Sequence, residues 1–228
     1  MKERGMIFNG EMVRAILDGR KTQTRRIMKN QPAGDYPDTP ALIRSVDGGF
    51  QWYGHYGESS IFNCPFGAVG DRIWVRETWG VVSHELDEDG RIQSWIPDRP
   101  ATAIHEMPFG NGYYSGHAIY AADGDFTWGD DDGYEDGRSC WKPSIHMPRA
   151  ACRISLEING VRVERLRDLS EDDAKSEGIT PPSGGVLPGW EFRINFRDLW
   201  MSIYGSENWE ANPWVWVIEF KRIEGGEA

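Results

Sequence analysis

Cysteine is scarce in this sequence of 228 residues, where Cys64, Cys140 and Cys152 stand far apart. None of the three belongs to a CxxC pair or to a Cys/His pair at zinc spacing, which excludes the common structural zinc motifs. An odd number of scattered cysteines is typical of proteins from a reducing compartment. We therefore expect reduced, buried thiols and a cytoplasmic location.

A long hydrophobic run is also lacking, because no apolar stretch approaches roughly 18 residues, the length that spans a bilayer. The first residues, Met1 to Gly5, do not contain the apolar segment of a signal peptide. The chain has no internal repeat and no low-complexity tract. These absences predict a soluble protein that has no membrane partner.

The acidic segment from Asp123 to Asp136 holds seven carboxylates but lacks the spacing of a calcium loop. An EF-hand loop needs a central glycine and a terminal glutamate at fixed positions. Because charge runs usually stay in water, we interpret the segment as a solvated acidic loop. We expect neither a metal ion nor a cofactor.

Basic residues are outnumbered, 25 against 36 acidic ones, which gives a formal net charge of −11. This charge argues against a protein that coats long nucleic acid, since neutralising phosphates needs a cationic surface. Locally the sign reverses, because residues 20–29 hold five basic side chains and no acidic one, and residues 149–167 hold five arginines against two glutamates. A positive cleft on an acidic body suits a small anionic or nucleoside-like ligand, or a short strand.

Apolar spacing and capping signals predict two or three helices in a chain long enough for a substantial core. The first predicted helix covers residues 11–18, between the N-cap Asn9 and the stop Gly19. The second runs from residue 171 to about 177, between the Ser170–Asp173 capping box and Gly178. The third covers residues 191–204 and ends before Gly205.

Alternating apolar residues predict strands over residues 73–79, about 154–163 and 214–220. Asn159-Gly160 is a hairpin signal, but the apolar phase slips there by one residue, as it does at a β-bulge, and we predict a single kinked strand. The turn-rich segments 30–66 and 81–140 are interpreted as ordered insertions, the second with a hairpin that ends at residues 117–121.

The segment GRKTQTRR, residues 19–26, places Lys21 on a turn between the first helix and a strand. On that strand Thr22, Thr24 and Arg26 share one face, and Gln23 and Arg25 share the other. A lysine near a threonine hydroxyl is compatible with a catalytic site. A solvated basic turn is the alternative interpretation.

Four segments resemble ASCH-domain proteins in the same order: GRKTQTRR, GDRIWVRETW (70–79), LSEDDAKSEGIT (169–180) and NPWVWVIEFKRIE (212–224). WKPSIHMPR (141–149) and NPWVWVIEF resemble the longer phage and prophage members. GRKT-x-T, LxE-x-x-A-x-x-E and VIEFK resemble the small bacterial 4-acetylcytidine amidohydrolases. This chain is about twice as long as those enzymes, and its IWVRETW strand is more aromatic than theirs.

The resemblance implies an α+β fold, a PUA-like mixed β-barrel forming a single domain over residues 1–228 with the insertions at about 30–66 and 81–140. It also implies an amidohydrolase acting on an acylated nucleoside or modified base, without metal, in the cytoplasm, which for a phage-encoded chain is the host cytoplasm. Lys21, Thr24 and Glu177 match the catalytic residues of that family. Thr24 would be the nucleophile, Lys21 would take its proton if neutral or otherwise stabilise developing negative charge, and Glu177 would protonate the leaving amine.

Seven further residues are predicted to bind substrate because they carry cations, hydroxyls or stacking rings near the same motifs: Arg20, Thr22, Arg25, Arg26, Trp74, Arg76 and Trp79. Two alternatives use the same cleft. One is a non-catalytic module that binds RNA, single-stranded DNA or a modified base, with the arginines on phosphates and the tryptophans on bases. The other is a nuclease.

Overall fold

The computed structural model describes residues 1–32, 42–54, 57–128, 140–181 and 189–223, which form a mixed α+β fold built mostly of strands. The strands are β1 (Glu3–Ile7), β2 (Gln23–Ile27), β3 (Leu42–Val46), β4 (Gly49–Gly54), β5 (Gly57–Glu58), β6 (Arg72–Arg76), β7 (Trp79–Val82), β8 (Glu85–Leu86), β9 (Ile92–Gln93), β10 (Thr102–Phe109), β11 (Gly112–Tyr120), β12 (Ser155–Arg165) and β13 (Trp214–Ile223). The α-helices are α1 (Gly10–Leu17), α2 (Glu171–Ser176), α3 (Glu191–Tyr204) and α4 (Ser206–Ala211). Short 3-10 turns cover Ala121–Asp123, Ser144–His146, Arg149–Ala151 and Leu166–Asp168.

The described chain divides into two compact units. The first unit holds residues 1–4, 15–73 and 156–223, and the second holds residues 5–14 and 74–155. The sequence predicted one domain with two insertions. In the structure the described part of the insertion at 30–66 belongs to the first unit, and that of the insertion at 81–140 belongs to the second.

The first unit contains a sheet with the strand order β1-β6-β12-β13-β2, of which β1 and β6 contribute their first residues to this unit. Strand β13 is antiparallel to β2, with Ile218 opposite Thr24 and Val217 opposite Arg25. Residues 214–218 of β13 are all buried, which confirms the prediction that this strand is covered on both sides near its start. The strand order leaves β1 and β2 as the ends of the sheet, so the closed PUA-like barrel stays a prediction.

Helices α2 and α3 of the first unit pack on this sheet through an apolar cluster. Its members are Leu166, Leu169, Ala174, Phe196, Trp200, Val215 and Val217. The described strands of the first insertion form the three-stranded sheet β3-β4-β5. Phe50 and Phe62 pack edge-on against Trp216, at 5.3 and 5.8 Å between ring centroids. The described part of the first insertion thus packs through its aromatic side chains on β13, which agrees with its interpretation as an ordered insertion.

The second unit contains the sheet β10-β11-β7 and the small pair β8-β9. Strands β10 and β11 form the predicted hairpin, and β11 ends at Tyr120. Apolar residues of this sheet and of the segment that follows it form the core. They are Trp79, Ile104, Met107, Ala118, Tyr120, Met147 and Ala151.

Helix ends agree with the sequence because capping is local chemistry. The Oδ1 atom of Asn9 accepts a hydrogen bond from Met12 N at 2.8 Å, and Gly19 has a φ of 74°. Ser170 and Asp173 form the predicted reciprocal capping box of α2. Helix α3 occupies residues 191–204, as predicted. Asn159 and Gly160 lie inside the continuous strand β12, which confirms a single strand over a hairpin.

The predicted strand over residues 73–79 is correct only in its first half. Ile73 and Val75 are buried on one face of β6, as expected, but the strand ends at Arg76. Trp79 begins the separate strand β7. The prediction continued the strand through Glu77, although this charged residue interrupts the apolar alternation of Ile73 and Val75.

Cysteines and metal-ligating groups can be compared with their predictions. The three cysteines are free, with Cys64 and Cys152 half-buried, but Cys140 is exposed, which contradicts the predicted burial at that position.

The acidic segment lies partly outside the described residues, since 129–139 are not described. Within the described ranges no group of three or more His, Cys, Asp or Glu side chains is arranged to hold a metal ion. In the same ranges no helix has the length and apolarity needed to cross a membrane.

Candidate functional site

Lys21 is positioned by the turn between α1 and β2. The backbone N–H groups of Arg20 and Lys21 both donate to the carbonyl of Ala15, at 2.9 Å, and reverse the chain after the helix. Lys21 then pairs with Glu177 in an antiparallel β-bridge, and Thr22 N donates to Ser176 O at 2.8 Å. The start of β2 is thereby joined to the end of α2.

Gly178 permits this close approach. It has a φ of 84°, and a Cβ atom at this position would lie 2.7 Å from Cβ of Ala15 and 2.8 Å from Cβ of Lys21. A non-glycine residue would therefore be strained in its backbone and would also collide with both neighbours. The sequence signal for this glycine was only that of a helix stop.

The side chains of Lys21 and Glu177 form a buried ion pair. The Nζ atom of Lys21 lies 2.7 Å from Oε2 of Glu177 and also donates to the Glu177 carbonyl at 2.9 Å. The lysine side chain has 0% of its surface exposed and the glutamate side chain 5%. Two of the three predicted catalytic residues are thus in direct contact.

Burial lowers the pKa of Lys21 from 10.5, and this effect outweighs the opposing attraction of Glu177. The positive charges of Arg26 and Arg25 lower the pKa of Lys21 further. A lysine with a lowered pKa exists as the neutral amine more readily than an exposed one, and only the neutral amine can accept a proton.

Arg25 holds the other oxygen of the Glu177 carboxylate. Its Nη1 atom lies 3.0 Å from Oε1 of Glu177, and its Nη2 atom donates to Glu164 and lies 3.6 Å from Asp173. The guanidinium carbon is 5.8 Å from the centre of the Phe196 ring. The arginine side chain is 0% exposed, so its charge is neutralised inside the protein.

Arg162 extends these contacts toward the surface. Its guanidinium lies 3.1 Å from Glu164 and 2.6 Å from Asp173, and it also donates to Glu219. Gln23 donates to Asp173 as well, at 3.1 Å. We call this set the charge network. Its members are Lys21, Gln23, Arg25, Arg162, Glu164, Asp173, Glu177 and Glu219.

Asp173 is a carboxylate of the charge network whose pKa is lowered. Its partial burial would raise the pKa, but hydrogen bonds from Ser170 and Gln23 and the charge of Arg25 lower the pKa to about 2. The side chain that caps α2 is therefore also the carboxylate on which Arg162 and Gln23 converge.

A cavity of about 540 Å³ borders the charge network. Thr22 and Gln23, which follow Lys21, contribute to its wall, as do Asp173 and Ser176, which precede Glu177. The rest of the wall comes mainly from the outer part of β13, including Glu219 and Lys221. We call this cavity the α2 groove.

Thr24 is separated from the ion pair by the pleat of β2. Gln23 contacts Asp173 and Arg25 contacts Glu177, so the side chain of Thr24, which lies between them on the strand, points to the opposite face of β2. Thr24 is 2% exposed. The structure brings together Lys21 and Glu177 but does not bring the predicted nucleophile to them.

The predicted substrate-binding residues of the first unit are placed differently from one another. Thr22 lines the α2 groove, and Arg25 is fully enclosed. Arg20 is exposed and donates to Gly178 O and to Asp18. Arg26 is half-buried.

Three predicted substrate-binding residues belong to the second unit. Trp74 and Arg76 are half-buried and stack on each other, with the guanidinium carbon 5.3 Å from the ring centre. Trp79 is 0% exposed and is part of the core of that unit. A tryptophan with no exposed surface cannot stack on a base that arrives from solvent.

The sequence missed the partners of Arg25. Arg162 and Glu164 are two residues apart in β12, so their sharing of one face is predictable. Nothing in the sequence identifies the strand that this face would meet. Asp173 was recognised only as a helix cap, because capping is visible in four consecutive residues and a tertiary ion pair is not.

The second unit holds another buried ion group that sequence reasoning did not find. Arg153 binds both oxygens of Glu77, at 3.0 and 2.9 Å, and one oxygen of Asp123 at 2.7 Å. Its guanidinium carbon lies 3.9 Å from the centre of the Tyr120 ring. Burial raises the pKa of Glu77, although Arg153 opposes this effect. Each group of this cluster has a partner, which is typical of a structural ion pair.

Comparisons with protein-family models, with curated proteins and with solved structures found no match to this chain. The resemblance to ASCH-domain proteins therefore rests on the sequence motifs alone and stays a prediction.

Proposed function

We propose that this protein is an amidohydrolase-like enzyme of the ASCH, PUA-like class, which removes an acyl group from the exocyclic amine of a nucleoside, as in 4-acetylcytidine. The observation that carries the proposal is the 2.7 Å contact between Lys21 Nζ and Glu177 Oε2. A buried lysine with a lowered pKa beside a carboxylate is a chemically competent pair for moving a proton.

Lys21 and Glu177 perform the acid–base steps in this proposal. Neutral Lys21 accepts a proton from the nucleophile while the nucleophile's oxygen bonds to the acyl carbon. The proton then crosses the hydrogen bond to Glu177, which gives it to the leaving amine as the carbon–nitrogen bond breaks. The products are a carboxylic acid and the free exocyclic amine, and both catalytic residues return to their starting state.

Water is the nucleophile that the geometry favours. The resemblance implies Thr24, but its side chain lies on the face of β2 opposite to Gln23 and Arg25. The α2 groove is the proposed route of the nucleoside, since its wall includes the residues next to Lys21 and Glu177. Because the Lys21 side chain is 0% exposed, substrate access requires a local movement of that wall.

The test is hydrolysis of 4-acetylcytidine by the full chain, followed by release of cytidine. Lys21→Met and Glu177→Gln should each lower kcat by about 10²-fold or more, because each removes a proton-transfer group. Lys175→Met and Glu207→Gln are matched controls on exposed helical residues and should retain the wild-type rate. Absence of hydrolysis by the wild type, or undiminished hydrolysis by Lys21→Met, contradicts the proposal.

The nucleic-acid-binding alternative receives less support. Arg25 is fully buried, with carboxylates on both Nη atoms, and Trp79 is fully buried, so neither is available to a phosphate or a base. No observation in the described residues favours a nuclease.

A further inference from the structure

The Glu177 carboxylate is shared by two cations, and they differ in one chemical respect. Lys21 binds Oε2 at 2.7 Å and Arg25 binds Oε1 at 3.0 Å. Lysine can release its proton when it is buried, whereas a guanidinium does not deprotonate in proteins. When Lys21 becomes neutral, Glu177 therefore still has a permanent cation on its other oxygen.

Arg25 is itself held in place from three elements. Glu164 on β12 and Asp173 on α2 bind its Nη2 side, and the Phe196 ring on α3 lies beside the guanidinium. Its side chain has no exposed surface. A planar group held at both nitrogen ends defines the direction of the hydrogen bond that it gives to Glu177.

We propose that Arg25 is a positioning residue, which fixes the orientation of the Glu177 carboxylate and holds a permanent cation beside it while Lys21 releases and regains its proton. This role rests on the proposed function, since it describes how the Lys21–Glu177 pair is prepared for proton transfer. The charged groups that face Lys21 are Glu177, Arg25 and Arg26, and those that face Glu177 are Lys21 and Arg25. Glu164 and Asp173 act on the pair through Arg25.

The direct test is an NMR titration of the Lys21 Nζ atom in the full chain without substrate, with the signal assigned by its loss in Lys21→Met. Arg25→Met removes a nearby cation and leaves the negative charges of Glu164 and Asp173 without that partner. The midpoint of the Lys21 titration should therefore rise by about one pH unit or more. Arg25→Lys keeps the charge and should return the midpoint most of the way to the wild-type value. Arg197→Met is the matched control on the exposed face of α3 and should leave the midpoint unchanged.

An unchanged Lys21 midpoint in Arg25→Met overturns the positioning role. If Arg25→Met does not fold, the NMR signals of Arg25 in the wild type test the positioning role instead. A guanidinium held by carboxylates at both ends rotates slowly about its Nε–Cζ bond, so Arg25 should give separate Nη1 and Nη2 signals. A single averaged signal overturns the proposal.

Kinetics separate this inference from the proposed function. Arg25→Lys should lower kcat by about tenfold with little change in KM, because it affects proton transfer and not nucleoside binding. If the wild type hydrolyses no acylated nucleoside while the titration midpoint of Lys21 still rises in Arg25→Met, that result supports the role of Arg25 and overturns the hydrolase. Normal hydrolysis with an unchanged midpoint overturns the role of Arg25 alone.

Discussion

Lys21 and Glu177 are 156 positions apart in the sequence, yet they make two hydrogen bonds to each other, and their side chains are only 0% and 5% exposed. Their energetic relation should be visible in stability. Lys21→Met leaves a buried carboxylate with one cation fewer and should lower the free energy of unfolding by about 3 kcal/mol. The double variant Lys21→Met/Glu177→Gln should be clearly less destabilised than the sum of the two single variants. Urea unfolding of the four proteins measures the difference, and strict additivity would contradict an interaction between the two side chains.

Stability should also depend on pH through Lys21. Its pKa is lower in the folded state than the ordinary value of 10.5, so above the folded pKa the unfolded chain holds more protons. The free energy of unfolding should therefore rise with pH up to about 10.5, and the cost of burying the charged lysine should be fully present below the folded pKa. Urea unfolding at intervals from neutral pH up to 10.5, the ordinary lysine value, should show a positive slope relative to Lys21→Met. An identical slope in the variant would mean that Lys21 does not titrate in this range.

Asp173 gives a pH dependence of the same sign, but in the acidic range. Because its folded-state pKa is about 2 against an ordinary value of 3.8, its ionised form stabilises the fold above about pH 4. This contribution is lost as the pH falls toward 2. Acid unfolding followed by circular dichroism should begin at higher pH in Asp173→Asn. Asp172→Asn, whose side chain is 90% exposed, is the control and should unfold like the wild type.

Thr24→Val distinguishes the two nucleophiles. Valine keeps the shape of threonine and removes only the hydroxyl, so hydrolysis of 4-acetylcytidine should stay within about tenfold of the wild type if water attacks. A loss of about 10²-fold or more would restore Thr24 as the nucleophile. Thermal unfolding of the variant should be recorded alongside, since a misfolded protein would also lose activity.

Trp79 should behave as a core residue. Trp79→Ala should lower the free energy of unfolding by about 3–5 kcal/mol, because it leaves a large void beside residues such as Met147 and Tyr120. Trp74→Ala removes a half-buried ring and should cost clearly less. Equal losses for the two variants would contradict the different burial of these tryptophans.

Local chemistry explains which parts of the fold were predictable. The ends of α1, α2 and α3 follow from Asn9, Gly19, the Ser170–Asp173 pair and Gly205, because each signal lies within a few residues of the helix that it ends. The continuous strand at Asn159-Gly160 followed from the apolar phase on both sides of that turn signal.

Long-range pairing explains the rest. Lys21 and Glu177 were singled out by resemblance to a family, not by periodicity, and their contact depends on a β-bridge between distant segments. Glu77 shows why the end of β6 was missed. The alternation requires an apolar residue at position 77. Glu77 can be buried there because Arg153, from a distant part of the second unit, binds its carboxylate. A pattern within one segment contains no information about that partner.

A substitution at Gly178 would change the distance between Lys21 and Glu177 without altering any charge. Because hydrogen in place of Cβ lets the end of α2 approach Ala15 and Lys21, the backbone at this position acts as a spacer. A single methyl group there would push two stretches of chain apart while all eight members of the charge network kept their chemical identity. The distance between the Lys21 and Glu177 side chains is thus set by a neighbouring residue that has no side chain of its own.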